Sequence, residues 1–122
     1  VLRSYGGTFM TKAHKHIFAT GELKTISLAL WDLSASLLAR PSHSEKAAYL
    51  AEMFARVRPW RTLSHSESAL VLQSLERFAQ IPPRRVGAPD YRVQSARLLE
   101  VVKELHDKHY QLANGEDFRR RR

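Results

Sequence analysis

The string Ser-His-Ser-Glu stands twice in this chain, beginning at Ser42 and again at Ser64, each time ahead of apolar residues at helical spacing. Ser-x-x-Glu is the sequence form of a capping box. The serine oxygen accepts from the backbone N–H three residues on, and the glutamate reaches back to the serine's own N–H. The doubling therefore predicts two helix starts, capped by Ser42 and by Ser64, about one short helix apart. Ser-His also has the composition of a nucleophile with its base. Neighbours at a helix start cannot adopt the oriented serine–histidine–acid geometry, however, and no Gly-x-Ser-x-Gly elbow accompanies them.

The apolar pattern fills in the helices around these starts. Leu23, Ile26, Leu30, Leu33 and Leu37 alternate spacings of three and four, the period of a buried helical face. Leu28, Trp31 and Leu38 lie off that stripe, so the first long helix, running from Glu22 to the break at Pro41, is expected to have neighbours on more than one side. A second helix carries Ala47, Leu50, Phe54 and Val57 and stops before Pro59. A third carries Ser68, Leu72, Leu75 and Ala79, with Val71 and Phe78 beside them. Pro82 and Pro83 end it, since each lacks an N–H and restricts the residue before it. The longest helix is expected from Pro89-Asp90 to Ala113, burying Tyr91, Leu98, Val102, Leu105 and Leu112 before an Asn114-Gly115 stop. Ahead of all these, a short helix is expected from Thr8 to Phe18. Sustained period-two alternation is absent, so the expected fold is all-α, with four to five antiparallel helices. Residues 21–115 form the helical domain, 1–20 an N-terminal extension and 116–122 a basic, charged tail.

An offset of about 42 pairs Leu28 with Leu70, Leu30 with Leu72, Leu33 with Leu75 and Pro41 with Pro83. Two helical-hairpin repeats produce such a match, and so does the chance alignment of two leucine-rich helices. The runs Ile26-Ser27-Leu28-Ala29-Leu30-Trp31-Asp32-Leu33 and Ser68-Ala69-Leu70-Val71-Leu72-Gln73-Ser74-Leu75 resemble the leucine-rich helical repeats of organellar RNA-associated proteins, the octotricopeptide and FAST-kinase-like families. The resemblance covers residues 22–83. Asp32 stands where those repeats favour a small residue after tryptophan, and their terminal RNA-associated domain is not recognisable. The resemblance implies a mitochondrial or plastid setting and a scaffold role, and carries over no functional residue.

Charge narrows the choice of partner. The 122 residues carry 20 Lys and Arg against 12 Asp and Glu, a formal +8, which favours an anionic partner. The excess is +3 over residues 1–40, +1 over 41–80 and +4 over 81–122, the last supplied by Arg119, Arg120, Arg121 and Arg122. There is no cysteine, which excludes disulfides, zinc-thiolate sites and thiol nucleophiles. No stretch approaches the roughly 20 apolar residues of a membrane span. A chain that opens with Val1 and has its first methionine at Met10 is expected to be processed or truncated.

Catalytic and metal chemistry finds no support in the motifs. His14 and His16 flank Lys15; His43 and His65 sit beside the capping serines; His106 and His109, three apart, lack a zinc pattern around them. Glycine-rich phosphate loops are missing. No enzymatic activity, metal or cofactor is expected. The constellation of most interest is Arg56, Arg58, Trp60 and Arg61, between the second and third helices. Arginines make bidentate phosphate contacts, and a tryptophan beside them can stack on an unpaired base. The alternative is that Trp60 fills a gap between helices while the arginines stay solvated. Arg84, Arg85 and Arg40 are expected at the opposite pole, and the arginine tail is a further candidate for nucleic-acid contact.

These features lead to an expectation of a non-enzymatic accessory subunit of a large organellar assembly. The first choice is a mitochondrial ribosome component, on the matrix side, contacting rRNA and neighbouring proteins. The second is an accessory subunit of a mitochondrial membrane complex such as ATP synthase, docking by protein contacts. A DNA-binding regulator is a weaker third, because no helix-turn-helix spacing stands out.

Overall fold

The computed structural model describes residues 14–56, 61–106 and 110–115, over which the chain forms four helices and a small sheet. Strand β1 (His14–Phe18) leads into α1 (Thr20–Ser36). Then come α2 (Pro41–Ala55), β2 (Arg61–Thr62), α3 (His65–Phe78), α4 (Arg92–His106) and β3 (Tyr110–Asn114). The protein is thus mostly helical rather than all-α.

The sheet corrects two expected helices. The described part of the expected Thr8–Phe18 helix is β1, and the last helix stops at His106, well short of Ala113. In the order β1-β3-β2, the central β3 pairs in parallel with β1, His14 facing Tyr110 and Phe18 facing Asn114. It pairs antiparallel with β2, Arg61 facing Leu112. Leu105 and Leu112 are seven apart, a spacing that a continued helix would also place on one face, so periodicity alone does not separate the two outcomes. The partners that hold β3 extended come from distant parts of the chain.

Helix α1 is the centre of the core. Leu23, Ile26, Leu30 and Leu33 are all buried, as their spacing requires, and each contributes about 1.5–3 kcal/mol of burial. On one side α1 meets α2 along a seam of small residues. Ser27 Oγ donates to the Ala51 carbonyl at 2.7 Å and Ser34 Oγ to the Ser44 carbonyl at 2.8 Å, while Ser44 Oγ returns a bond to the Ser34 carbonyl at 2.8 Å. The paired positions are seven apart on each helix and run in opposite directions along this one pair. Ala47 and Ala51, fully buried between them, leave room for the backbones to approach. On its other side α1 packs against α3, which in turn packs against α4.

Burial recurs at matching positions in the α1–α2 and α3–α4 pairs. At an offset of 42, Ile26, Ala29 and Leu33 of α1 correspond to Ser68, Val71 and Leu75 of α3, all buried. At an offset of 51, Ser44, Ala47, Ala51 and Phe54 of α2 correspond to Ser95, Leu98, Val102 and Leu105 of α4, again all buried. The two offsets differ because the second connection, residues 79–91, is nine residues longer than the first, residues 37–40. Both first helices also start alike. Phe18 and Leu63 are buried one residue before the N-cap, and a glutamate at the third helical position accepts from the N-cap N–H, Glu22 from Ala19 at 2.8 Å and Glu67 from Ser64 at 2.9 Å.

Only the second Ser-His-Ser-Glu forms the expected box, with Ser64 Oγ accepting from the Glu67 N–H at 3.2 Å. The first does not cap: Arg40 is the N-cap of α2, without a side-chain bond, and Pro41 is its first residue. Proline suits that position because its φ is already helical and the missing N–H has no helical partner there. So Pro41 opens a helix rather than closing one. The string is carried two residues deeper, and Ser44 becomes a seam residue.

Candidate nucleic-acid interface

Lys46, Tyr49 and Arg56, spaced three and seven apart, lie on a side of α2 turned away from its buried face. Tyr49 is 51% exposed. Lys46 Nζ sits 5.5 Å from the centre of its ring, and Arg61 Nη2 donates to its hydroxyl at 3.1 Å. Arg61 reaches it from β2, where pairing with Leu112 of β3 holds the backbone. Its Nε is buried with no acceptor among the described residues. Lys46 also bridges to Glu67 Oε2 at 3.4 Å, so the cap of α3 and the aromatic site share one cation. Burial pushes the Glu67 carboxyl up, but hydrogen bonding from the Ser64 N–H and the Lys46 ammonium outweigh it, leaving the group below its ordinary value. The result is an exposed ring with an ammonium against its face and a guanidinium at its hydroxyl. Such a contact with a cation is worth about 0.5–1 kcal/mol at an exposed site.

The expected site residues divide by location. Arg56 is exposed at the C-cap of α2 and Arg61 belongs to the Tyr49 cluster. Arg58, Trp60, Arg119, Arg120, Arg121 and Arg122 lie outside the described residues. Arg84 and Arg85 are exposed on the 79–91 connection, after α3 rather than after α2. Arg84 Nη2 is 3.9 Å from Asp32 Oδ1, whose other oxygen takes a closer bond, 2.9 Å, from Arg77 Nε. Arg40 is exposed at the start of α2. Lys46 and Tyr49 escaped the sequence reading. The signal available was a cation and an aromatic three apart on the polar side of a helix.

Three of the histidines make ring contacts. His16 meets Phe18 edge-on, ring centres 4.4 Å apart, in β1 rather than in a helix. His65 and His106 stack at 4.1 Å, which joins the start of α3 to the end of α4. Among the described residues no three His, Cys, Asp or Glu side chains gather as a metal site, and no helix is long and apolar enough to cross a membrane. Comparisons with known protein families, curated proteins and solved structures find no match to the chain.

Proposed function

We propose that the protein is a non-enzymatic structural or accessory subunit of a large organellar assembly, a mitochondrial ribosome component on the matrix side that contacts rRNA and neighbouring proteins. The observation that carries this reading is the exposed Tyr49 ring held between Lys46 and Arg61, on a chain of formal charge +8. Looped RNA offers phosphates together with unstacked bases, and a fixed aromatic side chain flanked by two cations addresses both. Arg56 is exposed at the C-cap of α2, and Arg58 and Trp60 stand between it and Arg61 in the sequence. The organellar setting rests on the leucine-rich resemblance of residues 22–83.

The test is titration of a structured RNA hairpin with the full chain at several salt concentrations. Replacing Lys46, Tyr49 and Arg61 by alanine together is expected to weaken binding and flatten its salt dependence, as is the Arg56, Arg58 and Arg61 triple substitution. Undiminished affinity with an unchanged salt slope in both variants would overturn the reading.

The second reading, a subunit docked on a mitochondrial membrane complex such as ATP synthase, is favoured by the half or more exposed Ile17, Leu38 and Val93. Co-sedimentation with ribosomes or with inner-membrane complexes separates the two.

A further inference from the structure

The 79–91 connection is the main difference between the α1–α2 and α3–α4 pairs, and it builds a cleft. Four residues suffice to join α1 to α2, whereas thirteen join α3 to α4. Connections this long without regular structure are uncommon in compact domains and are usually either functional or linker segments. Here the extra chain is held in shape. Pro82, Pro83 and Pro89 fix their own φ, and the Ala88 N–H donates to the Arg85 carbonyl at 3.0 Å, closing a tight turn. Gly87 stands at φ +86 in that turn, a conformation that disfavours a side chain. The cleft encloses about 360 Å³ and is walled by Phe78, Ile81, Pro83, Ala88 and Tyr91, with Arg84 and Arg85 beside them.

We infer that this cleft is a docking site for an acidic segment of a neighbouring protein, which inserts an apolar side chain between Phe78 and Ala88 and sets its carboxylates against Arg84 and Arg85. Charge complementarity chooses the occupant. No carboxylate lines the cleft. The acid next to it, Asp90, is held by Arg92, with Nη2 2.7 Å from Oδ2 and Nε 3.0 Å from Oδ1. Asp32 pairs foremost with Arg77, which leaves the largely exposed Arg84 weakly engaged at 3.9 Å, and Arg85 makes no ion pair with any described residue.

The walls favour a side chain over a nucleobase. A base binds by lying on a free ring face. Phe78 and Tyr91 instead stack on one another, centres 5.5 Å apart and planes 25° apart, and the rest of the wall is aliphatic and proline. A loop set by prolines and a closed turn also loses little freedom when it binds, which favours affinity from a small surface. This site lies on a different connection from the Tyr49 cluster and does not depend on the RNA reading.

The test is selection from a phage-displayed peptide pool on the full chain, followed by amide NMR mapping with the enriched peptide and, separately, with a uridine oligonucleotide. The expected peptides carry an apolar residue flanked by Asp or Glu, and shift the amides of Arg84, Arg85, Ala88 and Tyr91. Ala88→Trp, which fills the cleft, is expected to abolish their binding. Arg85→Glu is expected to weaken it about tenfold, equivalent to about 1.4 kcal/mol. Both substitutions fall on an exposed or half-exposed loop, and circular dichroism confirms that the variants fold. No enrichment, enrichment of basic peptides, binding that survives both substitutions, or uridine shifts confined to these amides would each overturn the proposal. So would self-association of the unmodified chain that Ala88→Trp abolishes, since the occupant would then be a second copy.

Discussion

The α1–α2 and α3–α4 pairs share a pattern of burial and differ in how they are connected. In the first, a four-residue connection and Pro41 bring α2 tightly against α1, and Ser27, Ser34 and Ser44 bond across to backbone carbonyls. In the second, Leu98 and Val102 replace Ala47 and Ala51, Ser95 Oγ is buried without a hydrogen-bond partner among the described residues, and a thirteen-residue connection leaves a cleft. The same division falls on the repeated string. Ser-His-Ser-Glu beginning at Ser64 caps a helix through its first and fourth residues. The copy beginning at Ser42 instead contributes its third residue to a helix seam. Where a helix begins, rather than the string itself, decides which residue works.

The seam is where this contrast breaks most visibly. Ser44→Leu removes the Ser44 Oγ bond to the Ser34 carbonyl and forces bulk between two close backbones, and is expected to cost about 3 kcal/mol or more in chemical denaturation. The same change at the exposed Ser66 is expected to stay within about 0.5 kcal/mol. A comparable loss at both positions would erase the distinction between the copies.

Next in size is the cap. Glu67→Ala is expected to cost about 1–2 kcal/mol, because the Ser64 N–H and Lys46 lose their shared acceptor. Glu45→Ala, at the equivalent place in the first string, is expected to change stability by less than about 0.5 kcal/mol. The two serines follow suit, with Ser64→Ala costing about 1 kcal/mol and Ser42→Ala close to nothing.

The smallest effect is in pH. Folding lowers the Glu67 pKa below its ordinary 4.5, so its contribution is fully present above that value and is lost as pH falls through the folded one. Glu67→Gln is therefore expected to flatten the acid limb of the stability profile. Asp90, held down to about 2 by the Arg92 side chain, keeps its charge at lower pH still.

The buried faces were legible in the sequence because three-and-four spacing is a local property, and Leu23 through Leu33, Ala47 through Phe54 and Leu98 through Leu105 all face inward as read. The caps were half legible. A capping box and a proline at the first helical position compete for the same few residues, and at Pro41 the proline prevailed. The sheet was not legible. Each strand is short, its alternation runs over five residues or fewer, and what stabilises it is pairing between remote segments. Of the candidate interface, the sequence offered Arg56 and Arg61 by residue type alone. Its aromatic partner was hidden, because only the fold brings Arg61 of β2 to Tyr49 of α2.

The two proposals assign different partners to different faces, an RNA to the Tyr49 face and an acidic protein segment to the 79–91 cleft. One amide-mapped titration of the full chain, first with an RNA hairpin and then with the selected acidic peptide, tests that division most directly. The account predicts shifts at Lys46, Tyr49 and Arg61 on adding RNA, and a separate set at Arg84, Arg85 and Ala88 on adding peptide, with both ligands bound at once. Competition of the two ligands for a single set of residues would contradict it.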